Sequence, residues 1–466
     1  MEKQLYCGSA LRVVNPPEDV IKRIHRKPDR STTILDNLCV RVIAIGDGET
    51  KFLLISYDSG YSCIDDQFAE IEKNFGIPSE HVMIFDCHSH TKLYGGYQFG
   101  NLPPNPRRHY QEFYTWPQEE QDAMNEYGQM TRKLMIDAVR EALANMVPAR
   151  MGHAKGESYI NVCRNQRYEI ELPDGTVEER YTVGVEPGYP VDHTIFVMKF
   201  EEAATGKPIA FFMNYPVHNC VMIDNHSGED GKKAFSGDIG GNCSLYMEEK
   251  YPGCVAMWSS GPAGNINPIY GTEIMYPDPM TGEPTQLYTK GAEIGKVMLK
   301  LLSTRHFADI METVRKIKHM SDKTELKSAV EMSMTPGLDG ENVIHEDLYK
   351  VRMQNLRIGD VALLGFSGEL YDSYGKQIRE ISPMKNTVIV THVGIGTAQS
   401  EYILSDWALQ HSASAEKRQE MGPRDGDGAR KGLSTCIVGT EHSQIVPGYL
   451  QKSFKEHTLS LFDKVL

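Results

Sequence analysis

No two of the nine cysteines are spaced C-x-x-C. That removes the ligand pairs of a zinc ribbon and the redox pair of a thioredoxin-like site. The odd, scattered set offers no disulfide framework, and we expect buried free thiols in a reducing compartment. Long apolar runs are missing too. Nothing approaches the roughly eighteen residues of a membrane span, and Met1-Glu2-Lys3-Gln4-Leu5-Tyr6 lacks the apolar core of a secretory signal. Positive charge is scarce: Lys and Arg number 49 against 63 Asp and Glu, a formal net charge of −14, so global charge would not hold a polyanion. Two nucleotide signatures are absent. Ser259-Ser260-Gly261-Pro262-Ala263-Gly264-Asn265 lacks the lysine of a phosphate-binding loop, and Gly394-Ile395-Gly396-Thr397-Ala398 lacks the third glycine of a dinucleotide fingerprint. These absences leave a soluble cytoplasmic protein acting on a small molecule, with no nucleic acid and no stable membrane association. They leave the oligomeric state open.

What is present is an alternation of strands and helices through 466 residues, with no repeat and no clean linker. Short β-branched and aromatic runs mark strands at Val42–Ile45, Phe52–Tyr57, Val82–Asp86, Thr194–Phe200, Ile209–Tyr215, Val255–Ser259, Val361–Gly365 and Thr387–Val393. They are continuous apolar runs, which suits strands buried on both faces. Asp174-Gly175 reads as a hairpin turn between Tyr168–Leu172 and Thr176–Thr182. A helix follows Trp116-Pro117, with Met135, Val139, Leu143 and Met146 on one face and Pro148 as its stop. Further helices are expected over Tyr288–Leu302 and Leu370–Glu380, and long functional loops over Lys92–Tyr114, Tyr270–Thr285 and Gly422–Gly432. The fold class is α/β: buried mixed β-sheets flanked by helices, in a single large domain over residues 1–466.

Candidate chemistry collects at strand ends. The run Val82-Met83-Ile84-Phe85-Asp86 closes in Cys87-His88-Ser89-His90, and residues two apart on a persisting strand point to one side. A second apolar run ends in Tyr215-Pro216-Val217-His218, and a third in Ser367-Gly368-Glu369. Open α/β folds place chemistry at such ends. Two histidines and a carboxylate are the ligand set of a catalytic zinc. The plainer readings are hydrogen-bonded loop histidines and, for Glu369, an acid stabilising a helix N-terminus.

The order of these segments resembles the catalytic domain of the neutral, non-lysosomal ceramidase family. That family's H-T-H-S-G segment is matched by His88-Ser89-His90-Thr91-Lys92, and its N-x-x-R by Asn161-Val162-Cys163-Arg164. Its F-P-V-H is similar to Tyr215-Pro216-Val217-His218, and its S-x-D-x-x-G to Ser236-Gly237-Asp238-Ile239-Gly240-Gly241. Its A-G-[DN]-x-S-P becomes Ala263-Gly264-Asn265-Ile266-Asn267-Pro268, its P-G-E becomes Ser367-Gly368-Glu369, and its late G-Y becomes Glu401-Tyr402-Ile403. The resemblance implies one Zn²⁺ per chain on His88, His218, Glu369 and Tyr402. It implies that His90 and Arg164 face the substrate. Asp238 is expected to bind substrate too, and so is Lys92, a cation that this chain adds near the site. Without the resemblance, Arg164 reads as a surface ion pair and Tyr402 as a core tyrosine beside Trp407.

The departures carry information. Asn267 stands where the family has its active-site serine; an amide is no nucleophile but can steady an oxyanion. Thr91-Lys92 replaces Ser-Gly, and the family's C-terminal β-sandwich domain is not expected here. Together these point away from a membrane lipid. The reading is a zinc-dependent hydrolase that uses an activated water on an amide or ester of a small polar substrate. Two alternatives stay open: a zinc lyase or isomerase in which the metal polarises a carbonyl, and a non-catalytic protein that keeps fold and metal.

Overall fold

The computed structural model describes residues 3–24, 30–58, 64–91, 93, 116–223, 225–229, 231–272, 274–278, 280–281, 284–286, 292–338, 344–394, 402–405, 408 and 450–466. Eight strands form one mixed sheet in the spatial order Val255–Ser260, Pro208–Tyr215, Thr194–Glu202, Val147–Glu157, Tyr6–Val13, Cys39–Gly46, Lys51–Tyr57 and Val82–Asp86. Its two four-stranded halves are joined in one ladder where Tyr6 pairs Pro148 and Cys7 pairs Val147. A second sheet runs Leu326–Leu338, Ile344–Ile358, Val361–Phe366, Asn386–Val390.

The apolar runs sort into layers as strand alternation requires. Val40, Val42 and Ala44 face one way, packing with Leu53, Ile55, Val82 and Ile84 under the helix Gln118–Ala144. Ile43 and Ile45 face the other way and join Phe85, Met198 and Phe212 in a core shared with Leu356, Leu363, Val388 and Val390 of the second sheet. The helices Asp238–Lys250 and Ala292–Arg315 cover the other half of the large sheet. Asp372–Ile381 and Leu450–Val465 cover the second sheet's outer face. The result is two sheets face to face between helical layers, which is why the strands read as unbroken apolar runs.

Within these two sheets most neighbouring strands are antiparallel, but three pairs are parallel: Lys51–Tyr57 with Val82–Asp86, Pro208–Tyr215 with Val255–Ser260, and Val361–Phe366 with Asn386–Val390. A helix lies between the members of each pair in sequence, as parallel pairing demands. The segment Thr391–Gly394 laces their C-terminal ends together. Thr391 N–H donates to Ser260 O at 3.0 Å, Gly394 N–H donates to Ile84 O at 2.9 Å, and Phe85 bridges Val393. Strand ends distant in sequence thereby share one place.

Three expectations change. The helix after Pro117 ends at Ala144, before Pro148, which instead lies second in the strand Val147–Glu157. The segment around Tyr270–Thr285 contains a small hairpin, Met275–Pro277 against Pro284–Gln286. The helix placed from Tyr288 is described from Ala292 and runs on to Arg315. The expected loop Gly422–Gly432 and nearly all of Lys92–Tyr114 lie outside the described residues. The seven described cysteines are buried free thiols.

Candidate metal centre

The strand Val82–Asp86 stops two residues before His88, which takes a left-handed backbone (φ 61°). His88 and His90 therefore do not meet through strand alternation. The turn brings them together, with Nε2 atoms 3.2 Å apart. The left-handed region is costly for a side-chain-bearing residue and needs over-determined surroundings. Here they are supplied by Asp86, whose carboxylate accepts His88 N–H at 2.8 Å, and by Asn219, whose O accepts His90 N–H at 3.1 Å. Ser89 bridges Asn219, so the HxH segment is paired to the backbone next to His218. Ser89 and Thr91 hydroxyls both donate to Ser236 O, which gives the S-G-D segment a structural job.

His218 is fixed from the other side. Asn161 Nδ2 donates to Pro216 O at 2.8 Å, and His218 Nδ1 lies 2.6 Å from Ala263 O. Only a protonated nitrogen suits a carbonyl oxygen, so Nδ1 carries the proton and Nε2 of the neutral ring keeps a lone pair. That Nε2 faces Glu369 Oε2 at 3.1 Å, while Glu369 Oε1 lies 3.5 Å from His88 Nε2. Glu369 is reached through Gly368, at φ 156° in a region essentially reserved for glycine. A Cβ on Gly264 would stand 2.9 Å from Glu369 O and 2.7 Å from the Tyr371 ring, so the 263–267 loop and the Glu369 segment approach as closely as they do only with glycine there.

Electrostatics match the geometry. Burial, with His392 stacked beside it, pushes His88 well below the ordinary histidine range, so its ring is neutral. Burial alone would raise Glu369, but contacts with His88 and His218 pull it well below the usual carboxylate range, leaving an anion. Burial pushes Tyr402 well above the usual phenol range, against the pull of Arg164. A bare imidazole nitrogen facing a carboxylate oxygen at hydrogen-bond distance needs positive charge between them, either a second proton or a cation. Three imidazole nitrogens within 4.8 Å of one another, plus that carboxylate, form a donor set that fits Zn²⁺.

No family model and no curated protein sequence matches the chain. Five chains of solved structures do, among them two ceramidase structures. A crystal structure of neutral ceramidase from Pseudomonas aeruginosa aligns with TM-score 0.62 at 13% identity, over 99% of this chain and 74% of that one. A ceramidase complexed with C2 aligns with TM-score 0.64 at 14% identity, over 99% and 75%. The chain has the neutral ceramidase fold. The expected α/β class, with buried mixed sheets between helices, is that fold's layered arrangement.

Within the neutral ceramidase fold, the sequence-derived residues His88, His90, His218, Glu369, Tyr402, Arg164 and Asn267 come together. Arg164 is 3% exposed and no surface ion pair: Nη2 donates to Gly264 O at 2.6 Å and to Tyr402 Oη at 2.8 Å, and Nη1 reaches Asn267 Oδ1 at 3.4 Å. Glu369 does not open a helix. Glu369–Leu370 is a two-residue strand parallel to Tyr402–Ile403, and the helix begins at Asp372. Lys92 lies outside the described residues. Asp238 is fully buried, and its carboxylate accepts Met222 N–H at 3.0 Å and Ile239 N–H at 2.8 Å.

Two residues were not singled out from sequence. His392, at φ 58°, stacks on His88 with ring centroids 3.7 Å apart and planes 15° apart. Asp86 offers a carboxylate within 4.8 Å of both rings' nitrogens. The signal was available, because Thr391-His392-Val393 closes an apolar strand just as His88 and His218 do. One tempting constellation is no site. Ser158 Oγ bonds Asp309 Oδ2 at 2.8 Å and His306 Nδ1 at 3.1 Å, but the carboxylate orients the serine and not the histidine. Burial takes His306 down to about 3.

Burial lifts Asp238 to about 7. The folded state thus keeps a proton that the unfolded chain releases above about pH 4. Stability contributed by this group is full below that pH and falls as pH rises through about 7. Denaturant titrations from pH 4.5 to 8 should show Asp238→Asn losing part of that downward slope. An unchanged slope would count against the assignment.

Proposed function

We propose that this protein is a zinc-dependent hydrolase that cleaves an amide or ester of a small polar substrate. The observation that carries the reading is His218, anchored through Nδ1 on Ala263 O so that its Nε2 is aimed at Glu369. The likeness to two ceramidase structures supports hydrolysis as the reaction class. One Zn²⁺ per chain would sit on His88, His218 and Glu369 together with a fourth donor. Bound there, it supplies Lewis acidity and brings the pKa of water to about 7.

The chain's own residues do the rest. Ala263 O fixes the His218 tautomer, and Glu369 balances the site's positive charge. Arg164, held by Gly264 O and Tyr402, brings a permanent cation beside the cluster, placed for a carbonyl oxygen or a carboxylate of the substrate. Asn267 lies at the guanidinium's other end, offering an amide where a serine would offer a nucleophile. The site thus steadies developing negative charge without forming a covalent bond to the chain. A cytoplasmic setting fits the buried free thiols.

Arg164→Ala is expected to lower kcat/KM by about 10²–10³, the usual cost of one oxyanion donor. Steady-state kinetics check this, and a loss below about tenfold would mean that Arg164 only supports the loop. The reaction class is tested with the zinc-loaded protein on a panel of small N-acyl compounds and esters in ¹⁸O-water. One ¹⁸O per turnover in the acid product is expected. Turnover without label would replace hydrolysis by elimination or isomerisation, and saturable binding without turnover would leave a binding protein.

A further inference from the structure

Asn267 is tied to the His218 segment twice over. Ile266 O, one residue before it, accepts His218 N–H at 3.0 Å, and its own Oδ1 lies 3.5 Å from the thiol of Cys220, two residues after His218. We infer that Asn267 is a specificity-determining residue. Arg164 and Cys220 lock its amide so that the NH₂ end serves the substrate, and the site takes acyl compounds with a carboxylate beside the scissile amide or ester. The inference deepens the hydrolase reading and rests on it for the bond that is cleaved, but not for what binds.

The neighbouring donors carry it. The two ends of an amide have nearly the same shape, so its partners decide which is which. A guanidinium only donates, and Arg164 Nη1 reaches the amide at 3.4 Å, so the atom it meets is the oxygen. The Cys220 thiol brings a second donor to that same oxygen. Both partners are themselves held. Cys220 is buried, and Arg164 Nη2 donates to Gly264 O at 2.6 Å and to Tyr402 Oη at 2.8 Å. Reversing the amide would set its NH₂ against the guanidinium, hydrogen to hydrogen. With the oxygen end occupied by these two donors, the end that serves a ligand is the NH₂.

That end selects what binds. A serine hydroxyl both donates and accepts, so a serine in this place would take either kind of partner. The locked amide only donates, and beside it stands a permanent cation. Guanidinium and amide together form a wall of donors, the pattern that recognises a carboxylate. The wall lies beside the metal centre, because Tyr402, which Arg164 holds, pairs with Glu369 across two parallel strands. A substrate anchored there by its carboxylate would turn its acyl carbonyl toward His88, His218 and Glu369.

The test is calorimetric binding to the full chain, both as purified and zinc-loaded, with two probes of matched size. N-acetylglycine carries a carboxylate, and N-acetylethylenediamine carries an ammonium in its place. Wild type should prefer N-acetylglycine by about 100-fold, the scale of a hydrogen bond to a charged group. Asn267→Asp keeps an oxygen for Arg164 and Cys220 but replaces the NH₂ with a second carboxylate oxygen, so the preference should reverse, which also shows that the variant is folded. Cys220→Ser keeps the donor and should stay within about twofold of wild type, whereas Cys220→Ala should bind N-acetylglycine about fivefold more weakly, the usual value of one neutral hydrogen bond. Equal binding of the two probes by wild type, or a preference for N-acetylglycine that survives in Asn267→Asp, would overturn the assignment of Asn267. A Cys220→Ser variant that falls with Cys220→Ala would overturn the role of Cys220. Zinc titration of the same proteins reads the metal separately: a wild type that binds no zinc would sink the metal reading and leave the probe preference standing.

Discussion

His218→Ala should abolish zinc binding at stoichiometric level and reduce hydrolysis to background. No side chain is more fully committed to the site. It is 1% exposed, its Nδ1 is anchored on Ala263 O, and its Nε2 meets Glu369. Alanine removes one donor and leaves the Glu369 anion facing a void on that side, with His88 still near its other oxygen. A loss of at least roughly 10³ in metal affinity is expected, which is about 4 kcal/mol. Fold stability should change much less, because the strand Pro208–Tyr215 is set by its pairing on both sides and not by the histidine beyond it. Competition titration with a chelating dye reads the affinity, and thermal unfolding of the zinc-free protein reads the fold. Stoichiometric zinc in this variant would remove His218 from the metal set.

Arg41→Met should be the most destabilising single change away from the site, costing about 3–5 kcal/mol, as breaking a buried ion pair does. Arg41 is fully buried in the strand Cys39–Gly46. Its Nη1 meets Asp58, while Nε and Nη2 grip both oxygens of Glu248 at 2.7 and 3.2 Å. Asp58 follows the next strand, and Glu248 comes from the helix Asp238–Lys250, so one guanidinium joins three elements. Methionine fills similar volume but leaves two carboxylates without their cation. The lever reaches toward the metal centre: Asp58 O accepts the Cys87 thiol, one residue before His88. Urea unfolding should show the loss, and neutralising the partners as well, in Arg41→Met/Asp58→Asn/Glu248→Gln, should recover much of it. A single-variant loss under about 1 kcal/mol would contradict this account of the network.

Much of the site was legible because its parts sit where apolar runs stop. His88, His218 and Glu369 each follow a strand whose continuous hydrophobicity marks it as buried on both faces, and the parallel pairing puts those ends on one side. What the pattern could not show is how the ends are brought together. Strand alternation would aim His88 and His90 alike, but the pairing of their nitrogens comes from a left-handed residue at His88. A left-handed histidine leaves no compositional trace. Glu369 was misplaced onto a helix start, because a two-residue strand formed with Tyr402 is a contact across more than thirty residues of chain.

The fold shows the same division. The hairpin of Leu326–Leu338 and Ile344–Ile358 was missed. Its lysine, glutamate, methionine and alanine residues are ordinary helix formers, and packing under the helix Leu450–Val465 decides otherwise. The strand Val147–Glu157 carries no apolar run at all; it is held by its pairing with Thr194–Glu202 along nine residues. Short-range pattern identified the strands that are buried on both faces. Long-range pairing made the others, and it also made the site.

The central claim is that this constellation holds one metal ion. Elemental analysis of the purified protein after zinc loading and gel filtration, set beside Glu369→Gln, tests it most directly. The account gives about one zinc per chain in wild type and less than about a tenth in the variant, since Glu369 is the carboxylate that faces both His88 and His218. Wild type holding well under half an equivalent, or a Glu369→Gln variant that retains a full one, would contradict it.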